Sequence, residues 1–246
     1  MGKVIIPYMT GELKVPSGQI FNKLDFRILE LMAKYKFIRL LAKPARLISG
    51  VESMIYVSGR EELTDHPDLE WLIGRKIARF FQKLAMDEQI SLRGGQQLCL
   101  IGVPTAATPL AQAASMASQG EGIYINHNII CHRVMREKLK DHGEHLGWVN
   151  GFPNINHFYI LLEGAITTGK SVGIACQRIS DSSYPDMPVV ILIDRQQGGL
   201  QNLQARRLKA FVIYNFLDIV FAFDKLGLWP EDMVQRATQE INENQF

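Results

Sequence analysis

Charge of one sign, paired cysteines and long apolar runs are all scarce in this 246-residue chain. Its 27 basic and 25 acidic residues leave a formal net charge of only +2. A dedicated nucleic-acid binder carries a lopsided basic balance, because its contacts are mainly to phosphates. No nucleic-acid partner is therefore expected, and any anion site must be local. The three cysteines, Cys99, Cys131 and Cys176, are odd in number, far apart and free of any C-x-x-C. Neither a disulfide framework nor a zinc motif is expected, and a cytoplasmic setting is the natural reading. His132, His142, His145 and His157 show no ligand spacing, so no metal ligands are assigned to the protein. Cys131 and Cys176 read as small buried apolar residues. The most apolar long segment, "FVIYNFLDIVFAF" at 211–223, is short for a membrane span and is interrupted by Asp218. The first residues lack an apolar core followed by a small-residue cleavage site, so neither a leader nor a membrane partner is expected. Internal repeats and low-complexity linkers are also missing.

The composition that remains is ordinary for a globular chain, at 47% hydrophobic residues. Phe21, Leu24, Ile28, Leu31, Tyr35, Ile38 and Leu41 recur at three- and four-residue spacing and predict one helix over 21–41. Residues 45–60 mix β-branched and aromatic residues with two Ser-Gly pairs and predict short strands or a hairpin. Asp65 or His66 as a cap, with Pro67 in the first turn, predicts a second helix. Leu69, Leu72, Ile73, Ile77, Phe80, Phe81 and Leu84 line its apolar face. From residue 97 the pattern alternates. Strands are predicted at 97–103, 157–163, 189–194 and 209–214, with one or two more within 122–135. Helices are predicted at 109–118, 170–179, 200–207, 215–226 and 230–243. This alternation predicts an α/β fold with a mostly parallel sheet covered on both faces. Such sheets bind ligands at the carboxyl ends of their strands.

One stretch carries a chemical signal. Gly164-Ala165-Ile166-Thr167-Thr168-Gly169-Lys170-Ser171 matches G-x-x-x-x-G-K-[ST], the nucleotide phosphate loop. A nucleotidase reading also draws on Asp194, which ends the run "VVILID". Against it, the loop follows several core elements instead of opening the domain. A second reading takes in all of 159–171. Four apolar residues lead to Glu163 at the strand's end, followed by hydroxyls and a glycine at a helix start. Backbone N–H groups, hydroxyls and the helix dipole converge there on one phosphate, and a neighbouring acid suits sugar hydroxyls.

"ILLEGAITTGKS" (160–171) resembles the loop for phosphoribosyl pyrophosphate (PRPP) in type I phosphoribosyltransferases. Three further stretches narrow the resemblance to orotate phosphoribosyltransferases. "ISGVESMIYVSGRE" (48–61) is similar to the N-terminal hood, "REKLKDHGEH" (136–145) to the mobile catalytic loop, and "LIDRQQGG" (192–199) to the stretch whose arginine faces orotate. "IGVPTAATPLA" (101–111) fits the strand and turn that hold pyrophosphate. The motifs occur in the family's order between about residues 45 and 225.

The resemblance implies a sheet of about five strands flanked by helices, in one domain spanning 1–246. Within it, 1–60 is the N-terminal helix and hood, 61–228 the α/β core and 229–246 a C-terminal helix. It implies transfer of phosphoribosyl from PRPP to orotate or a related base, in pyrimidine synthesis, by a cytoplasmic homodimer. By the same resemblance, Arg136, Lys140 and His142 clasp the pyrophosphate across the dimer interface, and Glu163 holds the ribose. Gly164, Ala165 and Ile166 continue the PRPP loop. Thr167, Thr168, Gly169 and Ser171 hold the 5-phosphate, with Lys170 as a nearby cation. Thr167 also faces the base, and Arg195 takes orotate's carboxylate as a fork. Mg2+ would arrive mainly on PRPP.

The chain departs from the family pattern at four places. Gly164 stands where a second acid is usual, and Glu137-Lys138 reverses Lys-Glu. Ile48 replaces a common lysine, while Ala106 and Ala107 replace Lys-Gly or Gly-Gly. These departures keep open a catalytically impaired protein that binds nucleotide or PRPP on the same fold.

Overall fold

The computed structural model describes residues 11–46, 52–58, 61–138, 147–150 and 153–243. The expectations for Ile48, Lys140 and His142 lie outside these residues. A small antiparallel pair, β1 (Glu12–Lys14) and β2 (Ile20–Asn22), leads into helix α1 (Lys23–Lys34). Asn22 and Asp25 cap its start: Asn22 Oδ1 accepts the Leu24 N–H, and Asp25 Oδ2 accepts the Asn22 N–H, both at 2.9 Å. The helix ends well before the predicted residue 41. Lys36 takes a φ of 56°, in the left-handed region, and turns the chain into strand β3 (Ile38–Arg46). Ile38 and Leu41 therefore belong to a strand. Their spacing suits either element, and pairing with β4 (Glu52–Val57) decides between them. The β3–β4 hairpin contains the strands predicted within 45–60 and extends them back to residue 38.

After a short helix α2 (Glu61–Thr64), α3 (Pro67–Met86) follows His66 as its cap and buries Leu69, Ile73, Ile77, Phe81 and Leu84. The α/β alternation then appears as predicted. Strand β5 (Gln97–Gly102) leads to α4 (Thr108–Gly120), and β6 (Cys131–Val134) precedes β7 (His157–Ile166). Helix α5 (Lys170–Asp181), β8 (Val189–Asp194), α6 (Gly199–Ala205), β9 (Ala210–Asn215), α7 (Phe216–Lys225) and α8 (Glu231–Glu243) complete the order. The five strands β6-β5-β7-β8-β9 form one sheet, parallel throughout. Every residue of β8 is buried, as expected of a strand covered on both faces. Glu163 does not end its strand. β7 continues through Ile166, because Ala165 and Ile166 still pair with Ile193 and Asp194 of β8.

The N-terminal elements join this core through a buried polar node. Asp25, fully buried, accepts the Tyr214 hydroxyl at 2.6 Å and lies 2.5 Å from Lys76 Nζ. Elements α1, α3 and β9 thus meet at one carboxylate. A buried charge is tolerable only when it is paired in this way.

Candidate active site

At the carboxyl ends of β5 and β7, the β3–β4 hairpin helps to close a cleft of about 520 Å³. Arg46, Tyr56, Val57 and Ser58 form its hairpin wall. Val103, Pro104 and Ala106 line it after β5. The continuous run Glu163 to Ser171 lines it after β7, together with Arg195 after β8. All ten residues predicted for PRPP and base in these stretches therefore reach one cavity.

The loop is shaped by packing from behind. Gly169 caps α5 with a φ of 77°, a conformation L side chains rarely adopt. Asn202 Nδ2 donates to Thr168 O at 3.0 Å. Gly199 sits so close that an added Cβ would approach Thr167 O to 2.7 Å. Helix α6 thus holds the loop backbone. No side chain of the cap residue bonds the first N–H groups of α5, which leaves them available to an anion. The turn after β5 has the same plan. A Cβ on Gly102 would come within 2.3 Å of Ala107 O, so strand and helix start are pressed together. Ala107 caps α4 without a side-chain bond.

Burial sets the charges. Glu163 is 6% exposed and accepts the Gly164 N–H at 2.8 Å. Desolvation pushes its carboxyl up to about 7, against the backbone N–H groups of Gly164 and Ala165. Asp194 is buried, raised by the same cause, and spends Oδ1 on the Gln196 N–H at 2.9 Å. It does not line the cleft, so the magnesium-holding strand of a nucleotidase has no counterpart there.

Arg195 is buried and held by contacts to the hairpin. Its Nη2 donates to Ser53 Oγ at 2.7 Å and to Ile55 O at 3.0 Å. Burial draws its guanidinium down to about 10, opposed by Glu240. Glu240 on α8 also accepts the Met54 N–H at 2.9 Å and bonds the Ser53 hydroxyl. The C-terminal helix therefore secures both the hairpin and the cleft arginine. Sequence reasoning missed Glu240 and Ser53. The local hint was the buried pair Ala237 and Ile241, which marks a docking face on an otherwise polar helix.

Arg136 is not brought into the cleft. Its N–H donates to Gly147 O at 2.8 Å and its Nε to Trp148 O at 2.9 Å, while Arg178 Nη1 donates to Arg136 O at 2.6 Å. These bonds close the neck of the segment that holds Lys140 and His142.

No protein-family model matches the chain. It is 30% identical over 183 residues to an orotate phosphoribosyltransferase of Nostoc sp., covering 74% of this chain and 79% of that protein. Among solved structures, Leishmania donovani UMP synthase superposes with a TM-score of 0.66 at 14% identity, over 89% of this chain and 42% of that one. Mycobacterium tuberculosis orotate phosphoribosyltransferase, solved in complex with PRPP, gives a TM-score of 0.53 at 21% identity, over 79% of this chain and 97% of that one.

Proposed function

We propose that this chain, which belongs to the orotate phosphoribosyltransferase family, transfers phosphoribosyl from PRPP to orotate, releasing orotidine 5-monophosphate and pyrophosphate. The observation that carries the reading is the continuous run Glu163–Ser171, which lines one cleft with the hairpin and Arg195. The 5-phosphate takes the free N–H groups of α5, the hydroxyls of Thr167, Thr168 and Ser171, and the charge of Lys170. Glu163 accepts the ribose hydroxyls. Those donors favour its ionised form and draw its pKa back down on binding. Arg195 spends Nη2 on the hairpin, and a guanidinium has five N–H donors, so others remain for orotate's carboxylate.

As the bond at ribose C1 breaks, negative charge grows on the departing pyrophosphate. Cations fixed beside it act selectively on the transition state. Arg136, Lys140 and His142 fill that role from the partner of a homodimer, once Arg136 exchanges Trp148 O for the ligand. Glu163 is the one carboxyl among the described residues lining the cleft. A single buried carboxyl does not make a magnesium cage, which fits Mg2+ held mainly by PRPP. When bound, the ion neutralises diphosphate charge. The setting of this reaction is the cytoplasm.

A second reading, binding without turnover, rests on Gly164 and on the alanines of the β5 turn. A turnover assay with Mg2+, PRPP and orotate, following loss of orotate absorbance, separates the two. Turnover that disappears in Arg136→Ala/Lys140→Ala is the expected result. No turnover, with PRPP still raising the melting temperature, would leave the binding reading.

A further inference from the structure

Near the amino ends of the strands, away from the cleft, the sheet collects three metal-ligating side chains. Cys99 lies on β5, Cys131 opens β6 and His157 opens β7. One ligand atom from each lies within 4.8 Å of the others. The register explains this convergence. Cys99 stands opposite Cys131 on one side and Tyr159 on the other. Alternate strand residues share a face, so His157 shares the face of Tyr159 and of both thiols. Cys99 is buried, whereas Cys131 and His157 are half-buried, which gives a dissolved ion access from one side.

We propose that Cys99, Cys131 and His157 bind one zinc ion per chain and leave its fourth position to solvent. Two thiolates and an imidazole form a borderline-soft donor set. It suits Zn2+, and the lack of a carboxylate within it disfavours Mg2+ or Ca2+. The imidazole is already oriented. Its Nδ1 lies 3.2 Å from the Tyr159 hydroxyl, whose oxygen also accepts the Asn154 N–H at 2.8 Å. Metal-bound histidines characteristically have such an outer partner. The thiols are already paired as well. Cys99 stands directly opposite Cys131 in the parallel register, so the two sulfurs meet without any movement of the strands. Zn2+ with two thiolates is neutral, so Arg133 faces no added net charge. Binding releases the thiol protons to solvent and transfers no electrons. Its consequence is to staple the edge strand β6 to β5 and β7. The spacing of these residues in the chain hides the site, because three separate strands supply it.

The test uses the full chain, reduced and stripped of metal with a chelator, and titrated with Co2+ as the optical probe. We expect a thiolate-to-cobalt absorption band that saturates at one equivalent, is displaced by Zn2+, and accompanies a higher melting temperature. Cys131→Ser should abolish the band, and His157→Gln should weaken binding by about tenfold or more. Cys176→Ser, outside the cluster, should leave it intact. Circular dichroism checks that each variant folds, and His157→Gln decides the matter if Cys131→Ser does not. The proposal is overturned by the absence of a thiolate band, by a band that survives Cys131→Ser, or by one indifferent to His157→Gln.

Discussion

Two strand–turn–helix units line the same cleft, β5–α4 and β7–α5, and they are built alike but furnished differently. In each, a glycine enforces the turn. Gly102 allows the strand to press on Ala107, and Gly169 supplies the left-handed cap of α5. Neither helix start has a side-chain cap, but they differ in their N–H groups. At α4 the Ala107 and Thr108 N–H groups bond Val103 O and Thr105 O and Pro109 has none, whereas the first turn of α5 keeps its donors for an anion. The β7 unit adds Glu163, Thr167, Thr168, Lys170 and Ser171 to the cleft, whereas the β5 unit adds Val103, Pro104 and Ala106. The backbone of a phosphate cradle is fixed by packing, which tolerates little change. Thr167, Thr168 and Ser171 are half-buried and Lys170 is exposed, so these side chains can change without unfolding the chain. Fold and family are therefore secure at both units, while the chemistry for an anion is complete at one of them.

Removing the furnished cradle should have the largest effect. At Gly169 a β-branched side chain meets a φ of 77° and contacts of 3.4 Å to Ile166 Cδ1 and Leu203 Cδ2. Gly169→Val should lower affinity for ribose 5-phosphate by roughly a hundredfold or more, a few kcal/mol of strain and lost N–H convergence. Isothermal titration reads this directly. Ala106→Ser in the other turn should change it less than about threefold, within ordinary surface effects. Equal losses in the two variants would erase the contrast between the units.

Glu163 sharpens the contrast through pH. Its folded carboxyl sits near 7, above its usual 4.5. Unfolded chain loses this proton first, so the stability contributed by the neutral form is complete below pH 4.5. It is lost as pH rises to 7. Glu163→Gln keeps an acceptor for the Gly164 N–H but cannot ionise. The variant should match the parent near pH 4 and exceed it by about 3 kcal/mol near pH 8, while losing turnover. Melting curves between those limits decide the point. Parallel pH profiles would mean that burial does not strain this carboxylate.

Legibility from sequence followed how local each signal was. "VVILID" was readable to the residue because an entirely apolar run stops at a charge, and β8 spans those six residues. The phosphate loop was readable because one continuous segment supplies its strand, turn and helix start. The α1 boundary was not, since Ile38 and Leu41 fit a helical stripe until β4 claims them. Glu163 was expected at its strand's end, yet β7 runs three residues further, because an acid ends a run of letters without ending a hydrogen-bond ladder. The Arg195–Ser53–Glu240 network and the Cys99–Cys131–His157 cluster join residues far apart in the chain, and no local spacing encodes such meetings. Arg136 shows the limit of a motif. The letters identify the loop, while the structure turns its guanidinium onto Trp148 O.

Gly164→Asp tests whether the missing acid limits the furnished unit. A Cβ there meets only Leu110 Cδ1, at 3.6 Å, an ordinary contact, and Leu110 itself lines the cleft. Neighbouring strand residues point to opposite faces, so the new carboxylate need not crowd Glu163. A charged hydrogen bond regained to a ribose hydroxyl is worth about 1.5–3 kcal/mol, or roughly ten- to a hundredfold in kcat/KM. A gain of that size would mean the β7 unit is one side chain short of full strength. An unchanged rate in a folded variant would move the deficit across the cleft. The β5 turn would then set the rate, since Ala106 and Ala107 add no polar side chain there and the Ala107 N–H is spent on Val103 O.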